Sequence, residues 1–218
     1  MIIDTSYFLN KSVFIPNVIN QPNIGGNNPN KTDVLKQEID EKEAKLLISA
    51  LGFEQYSELI SQFEINGELK PSALQKWIDL TNGKTLENGK RWNGLRYSYG
   101  SKKISLIAYY VYFYFLSGDF STYTTTGIQI ANAENSENQI PNEKQSKAWN
   151  TFVKMYNGSN ICGRNYNFFQ NWNGIGMQWN GSNGESNEVS LYEFISAYPE
   201  DYNLSFFKRE TIINAWNL

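Results

Sequence analysis

At 218 residues and 25.1 kDa the chain has room for one ordinary domain with arms, or for two small ones. A net charge of −3 and a pI near 5.2, with no run of Lys or Arg, give no sign of the basic face that grips nucleic-acid phosphates. Zero histidine and one cysteine, Cys162, remove the commonest general base, His-paired nucleophiles, an internal disulfide and a Cys/His zinc site, so carboxylate-only chemistry is what survives.

Aromatic residues reach 15%, so the core is expected to be built largely of rings, with Tyr and Trp needing polar partners. The opening MIIDTSYFLNKS has neither a basic nor a long apolar stretch, and no secretory signal is expected from it. Residues 1–19 alternate irregularly, and QPNIGGNNPNK at 21–31 has the Pro, Gly and Asn of a linker. Residues 1–39 are therefore expected to form an extended arm outside the core.

A body is predicted from residue 40 to 158. DEKE offers Asp40 as N-cap with Glu43 as its capping-box partner, and Leu47, Leu51, Leu59, Ile60 and Phe63 then share one face, with Gly52 as a break. A second helix is predicted from Pro71 through Leu74, Trp77 and Ile78 to a stop at Gly83. Residues 82–99 are loop, with a hairpin expected at Glu87-Asn88-Gly89.

The run ISLIAYYVYFYFL is the most apolar of the chain. Tyr, Val and Phe suit a strand, but the run is long for one, so a helix over 104–116 is expected. It is too short for a membrane span. Apolar on nearly every side, it belongs at the centre of a bundle. A polar loop follows at 122–138, and then PNEKQSKAWNTFVKMYNG predicts an amphipathic helix with Asn142 and Gln145 as cap and box partner. Its stripe is Ala148, Trp149, Phe152, Val153 and Tyr156, and Gly158 ends it.

Residues 159–218 read as a loop-rich extension with one or two short helices. SLYEFISAYP is capped by Ser190 with Glu193 and halted by Pro199, and a last helical turn is expected around Ile212, Ile213 and Trp216. The expected fold is thus mainly α: a small helical bundle with a central aromatic helix, an extended N-terminal arm and a loop-rich C-terminal extension.

Few residues read as chemistry. The loop carboxylates Glu134 with Glu137, and Glu185 with Glu188, could serve glycoside hydrolysis but are better explained as solvated charges. Cys162 lacks any base beside it. Trp172 and Trp179, in an Asn- and Gly-rich stretch, are better explained as core anchors or a subunit contact, and stacking on sugars gives the alternative of a carbohydrate-binding virion or surface module. No catalytic residue, metal or cofactor is expected.

The order of these features resembles the head-to-tail connector (adaptor or ring) proteins of tailed bacteriophages, as found in phages of Bacteroidetes-type hosts. The likeness spans residues 40–158 and is strongest over 92–156, through WNGLRY, LIAYYVYFYFLSGD, the Thr124-Thr125-Thr126-Gly127 loop and NEKQSKAWNTFVKMY. It implies a virion protein of the neck, made in the bacterial cytoplasm. Twelve copies would form a ring below the portal, touching other connector or tail proteins, with DNA passing through unread and no membrane involved. An acidic, amide-rich wall suits that passage, since neutralised phosphates would add friction. On this reading the loop is the partner-binding element. Thr124, Thr125, Thr126, Gly127, Asn132 and Asn135 would meet a partner's backbone, while Ile128 and Ile130 would enter its groove.

Overall fold

The longest helix, α1, Lys31–Leu51, frames the structure, a computed structural model that describes residues 1–16, 31–99, 102–119, 122–124, 127–129, 141–158 and 188–212. Leu35, Ile39, Leu46, Leu47, Ala50 and Leu51 are buried along it, a spacing of threes and fours that keeps one face inward over about 31 Å. α1 thus starts well before the cap expected at Asp40. Leu35 and Ile39 already carry the stripe, and the preceding turns supply the backbone bonds that a cap would have replaced.

Gly52, at φ 80°, ends α1 as its sequence predicts, and α2 follows at Phe53–Ser61. Pro71 does not open a helix. It lies in a turn in which Ala73 N–H donates to the Lys70 carbonyl at 2.9 Å, and α3 runs Gln75–Asn82 with Gly83 after it. The expected hairpin is present: β1 (Lys84–Thr85) pairs antiparallel with β2 (Arg91–Trp92). A second one, β3 (Tyr97–Tyr99) with β4 (Lys102–Ile104), stands where plain loop was expected to run into the next helix.

α4, Leu106–Asp119, is the aromatic helix. Leu106, Ile107, Ala108, Tyr109, Tyr110, Val111, Tyr112 and Phe115 are all buried, so its first two turns are covered on every side. Its neighbours are α1, the N-terminal turns and α5, Pro141–Asn157, which buries the whole predicted stripe of Ala148, Trp149, Phe152, Val153 and Tyr156. Pro141 takes the first helical position, where its missing N–H is harmless, so Asn142 falls inside the helix and is not its cap. Gln145 is not a box partner either. Its Nε2 donates to Ser117 Oγ on α4 at 3.1 Å.

α6, Leu191–Ala197, has its predicted capping box: Glu193 N–H donates to Ser190 Oγ at 3.2 Å, and Ser190 N–H to Glu193 Oε2 at 2.8 Å. Phe194 stacks on Trp92 at 5.5 Å, which seats α6 on β2. A 3-10 turn, Leu204–Phe206, is followed by non-helical chain to residue 212, while Ile213 and Trp216 of the expected last helix lie outside the described residues.

The N-terminal arm needs the largest correction. Two 3-10 turns, Thr5–Leu9 and Lys11–Val13, bury Ile2, Ile3, Tyr7, Phe8, Val13 and Ile15 in the same cluster as α1, α4 and α5. Its apolar residues have no helical or strand period, and so their burial is not visible in a pattern. A boundary between residues 39 and 40 falls inside α1. The molecule is mainly α, a small bundle around α4.

Candidate functional site

Two places hold the structure's more unusual chemistry: the junction of α4 with α5, and the seats of the two terminal segments. At the junction, Tyr110 meets Tyr114 edge-on at 4.9 Å and Phe152 at 4.9 Å, Phe113 meets Trp149 at 4.6 Å, and Phe152 stacks on Tyr156 at 5.2 Å. Such ring pairs each add about 0.5–1.5 kcal/mol beyond area burial, so this seam is stiff. Lys42 and Lys45 of α1 sit 5.2 and 5.6 Å from the Tyr114 ring. Burial pushes the Tyr110 and Tyr156 hydroxyls far above the usual phenol range, so both stay neutral.

The polar stretch between these helices is not simply a loop. β5 (Thr122–Thr124) and β6 (Gly127–Gln129) pair antiparallel, with Thr122 opposite Gln129, Tyr123 opposite Ile128 and Thr124 opposite Gly127. The Gln145–Ser117 hydrogen bond ties the first turns of α5 to the end of α4, and Ser117 Oγ in turn donates to the Phe113 carbonyl at 2.9 Å. Of the residues expected to bind a partner, Thr124, Gly127 and Ile128 lie in this hairpin. Thr125, Thr126, Ile130, Asn132 and Asn135 lie outside the described residues, as do Trp172, Trp179, Cys162, Glu134, Glu137 and Glu185.

Glu188 is described. It pairs with Arg91 as an isolated parallel bridge beside β2. Burial pushes its carboxyl up to about 7, against the pull of a hydrogen bond with Asn93 and the charge of Arg91. No group of three or more His, Cys, Asp or Glu that could hold a metal occurs among the described residues, and no helix there is long and apolar enough to cross a membrane.

The terminal segments are held by side chains that grip backbone. Ile2 N–H donates to both carboxylate oxygens of Glu43, at 2.8 and 2.9 Å, and Ile3 N–H donates to Oε2 at 3.2 Å. Arg96 Nε donates to the Ile2 carbonyl at 2.5 Å, and another guanidinium nitrogen donates to the Gly67 carbonyl. Lys103 Nζ donates to Ser6 Oγ at 2.7 Å, Asn10 donates to the Lys103 carbonyl, and the Tyr109 hydroxyl donates to Ser12 Oγ at 3.1 Å.

The C-terminal segment is held in the same manner. Trp149 Nε1 donates to the Thr211 carbonyl at 2.7 Å. The Asn157 amide clasps Glu210, accepting from its N–H at 3.3 Å and donating to its carbonyl. Phe207 stacks on Tyr156 at 4.5 Å.

Glu43 is the residue that sequence reasoning assigned to another task. Its signal is its place, four residues after Ile39 and four before Leu47, on a face otherwise apolar. A carboxylate there must find donors or be neutralised.

The arrangement defines a mainly helical protein in which residues 1–16 and 207–211 are strapped to an aromatic core. Comparison with family models, with curated proteins and with solved structures finds no match to the chain.

Proposed function

We propose that the chain is a structural, non-catalytic subunit of a tailed-bacteriophage head-to-tail connector. On this reading it forms a homo-oligomeric ring, of twelve copies by the resemblance, between portal and tail in the virion neck. DNA passes through the ring without sequence-specific contact. The stretch that carries the resemblance, residues 92–156, contains α4 and most of α5, the two helices at the heart of the core.

The observation that carries the reading is the β5–β6 hairpin. Two strands of three residues are marginal alone. Among the described residues no third strand pairs with either edge, and on this reading the hairpin's backbone groups extend a neighbour's sheet. The Gln145–Ser117 hydrogen bond joins the two helices that flank the hairpin in the chain. Repeated around a ring, one such edge per subunit makes a continuous contact from a small element.

Native mass measurement of the purified protein, alone and with its portal, tests this. A closed ring at an integral multiple of 25.1 kDa is expected in at least the portal-bound state, and a monomer under both conditions overturns the reading. Replacing Ile128 and Ile130 together by Ser is expected to leave the unfolding midpoint nearly unchanged while abolishing ring docking. The loss is ~1.5–3 kcal/mol per buried side chain, repeated at every symmetric site. Normal rings from that double variant would remove the hairpin from the interface.

A further inference from the structure

We propose that residues 1–16 are an exchangeable plug, and that in the associated protein each copy's plug occupies the socket of a second copy. The plug is a discrete object. It buries Ile2, Ile3 and Phe8, and its polar contacts go to Glu43, Arg96 and Lys103, which are 40 to 99 positions away in the chain. The grip falls largely on backbone: Glu43 takes two N–H groups, and Arg96 takes the Ile2 carbonyl. A second copy's plug presents those same groups, so exchange preserves every contact. Swapping an identical element is for that reason a low-cost route to association.

The tether permits it. Fourteen residues, 17–30, with two prolines and two glycines, separate the plug from α1. Extended, they reach about 46–50 Å. A chain of this length has a radius of gyration of about 17 Å, so that reach covers a socket on the facing side of a copy in contact. An empty socket would expose the seats of six apolar side chains, so it is filled either from within or from the neighbour. Within one chain the plug has an effective concentration in the millimolar range, so its own socket wins in dilute solution and exchange wins in concentrated or assembled protein.

Asp4 and Lys103 face each other across the seat, 3.4 Å apart, and lie outside the buried core, so cysteines there report a seated plug at the cost of the Lys103 grip while Glu43 and Arg96 keep theirs. In a Cys162→Ser background, Asp4→Cys and Lys103→Cys are made as separate variants, mixed, unfolded and refolded together at roughly 1 mM, and treated with a short bis-maleimide. The expected result is a covalent dimer of twice 25.1 kDa, at least tenfold more abundant in the mixture than in either variant alone and falling on dilution before cross-linking. Mixed dimer at the level of the single variants overturns the proposal, whether or not the Asp4→Cys/Lys103→Cys double variant links within its own chain. The assay needs no portal and no ring, so a failed connector reading leaves its outcome intact.

Discussion

Glu43 occupies a helix position that its neighbours define as apolar, and it is 3% exposed. Its two oxygens receive the N–H groups of Ile2 and Ile3, which have no water to turn to. Burial nevertheless raises its carboxyl above the ordinary value, so desolvation outweighs the donors. Glu43→Ala leaves two buried donors unpaired and is expected to cost about 2–4 kcal/mol. Glu43→Gln retains an acceptor oxygen of the same reach and should lose clearly less. Urea unfolding of the two variants measures this, and equal losses would mean that the backbone grip contributes nothing. The spacing of Asp40 and Glu43 read as a cap because a cap and a mid-helix turn share one sequence pattern; only the stripe through Leu35 and Ile39 separates them.

At the scale of elements, periodic segments were legible and aperiodic ones were not. α4, the stripe of α5, the Ser190–Glu193 box and the turn at Gly89 follow from local sequence, because each is set by neighbours within a few positions. The N-terminal turns and the strap at 207–211 are held by Glu43, Arg96, Trp149 and Asn157 from far along the chain, and no local pattern encodes such partners. Of the expected partner-binding site, the strand pairing of β5 with β6 was hidden in residues that alternate too weakly to announce a strand.

Gly94 shows a further long-range demand. It has φ 90°, and a Cβ there would stand 2.4 Å from the Thr81 carbonyl oxygen. Gly89 has a similar φ of 78° but nothing within 4 Å of such a Cβ. Gly89→Ala therefore measures backbone strain alone, about 1–2 kcal/mol. Gly94→Ala adds the overlap with backbone and should lower the melting temperature further. Equal shifts for the two would show that the α3 end and residue 94 separate freely.

For the molecule as a whole, buried and half-buried carboxylates set the pH response. Glu43, Glu188 and Glu210 all have their carboxyls raised by burial. The folded chain keeps the Glu188 proton up to about pH 7, whereas the unfolded chain releases it near its ordinary 4.5. Across that window the native state binds more protons, so this contribution is complete below pH 4.5 and is lost as pH rises through 7. Urea midpoints are expected to decline between pH 4.5 and 7, and Glu188→Gln should flatten the decline. A wild-type midpoint that rises over the same range would contradict the assignment.

The bond between Arg96 and the Ile2 carbonyl also has a meaning in time. Ile2 leaves the ribosome 94 residues ahead of its partner. At ordinary elongation rates that is a wait of roughly 5–20 s. For those seconds the nascent chain carries Ile2, Ile3 and Phe8 without their completed seat, of which only the Glu43 side of α1 has been made. On a polysome, the first finished body within reach can belong to another chain.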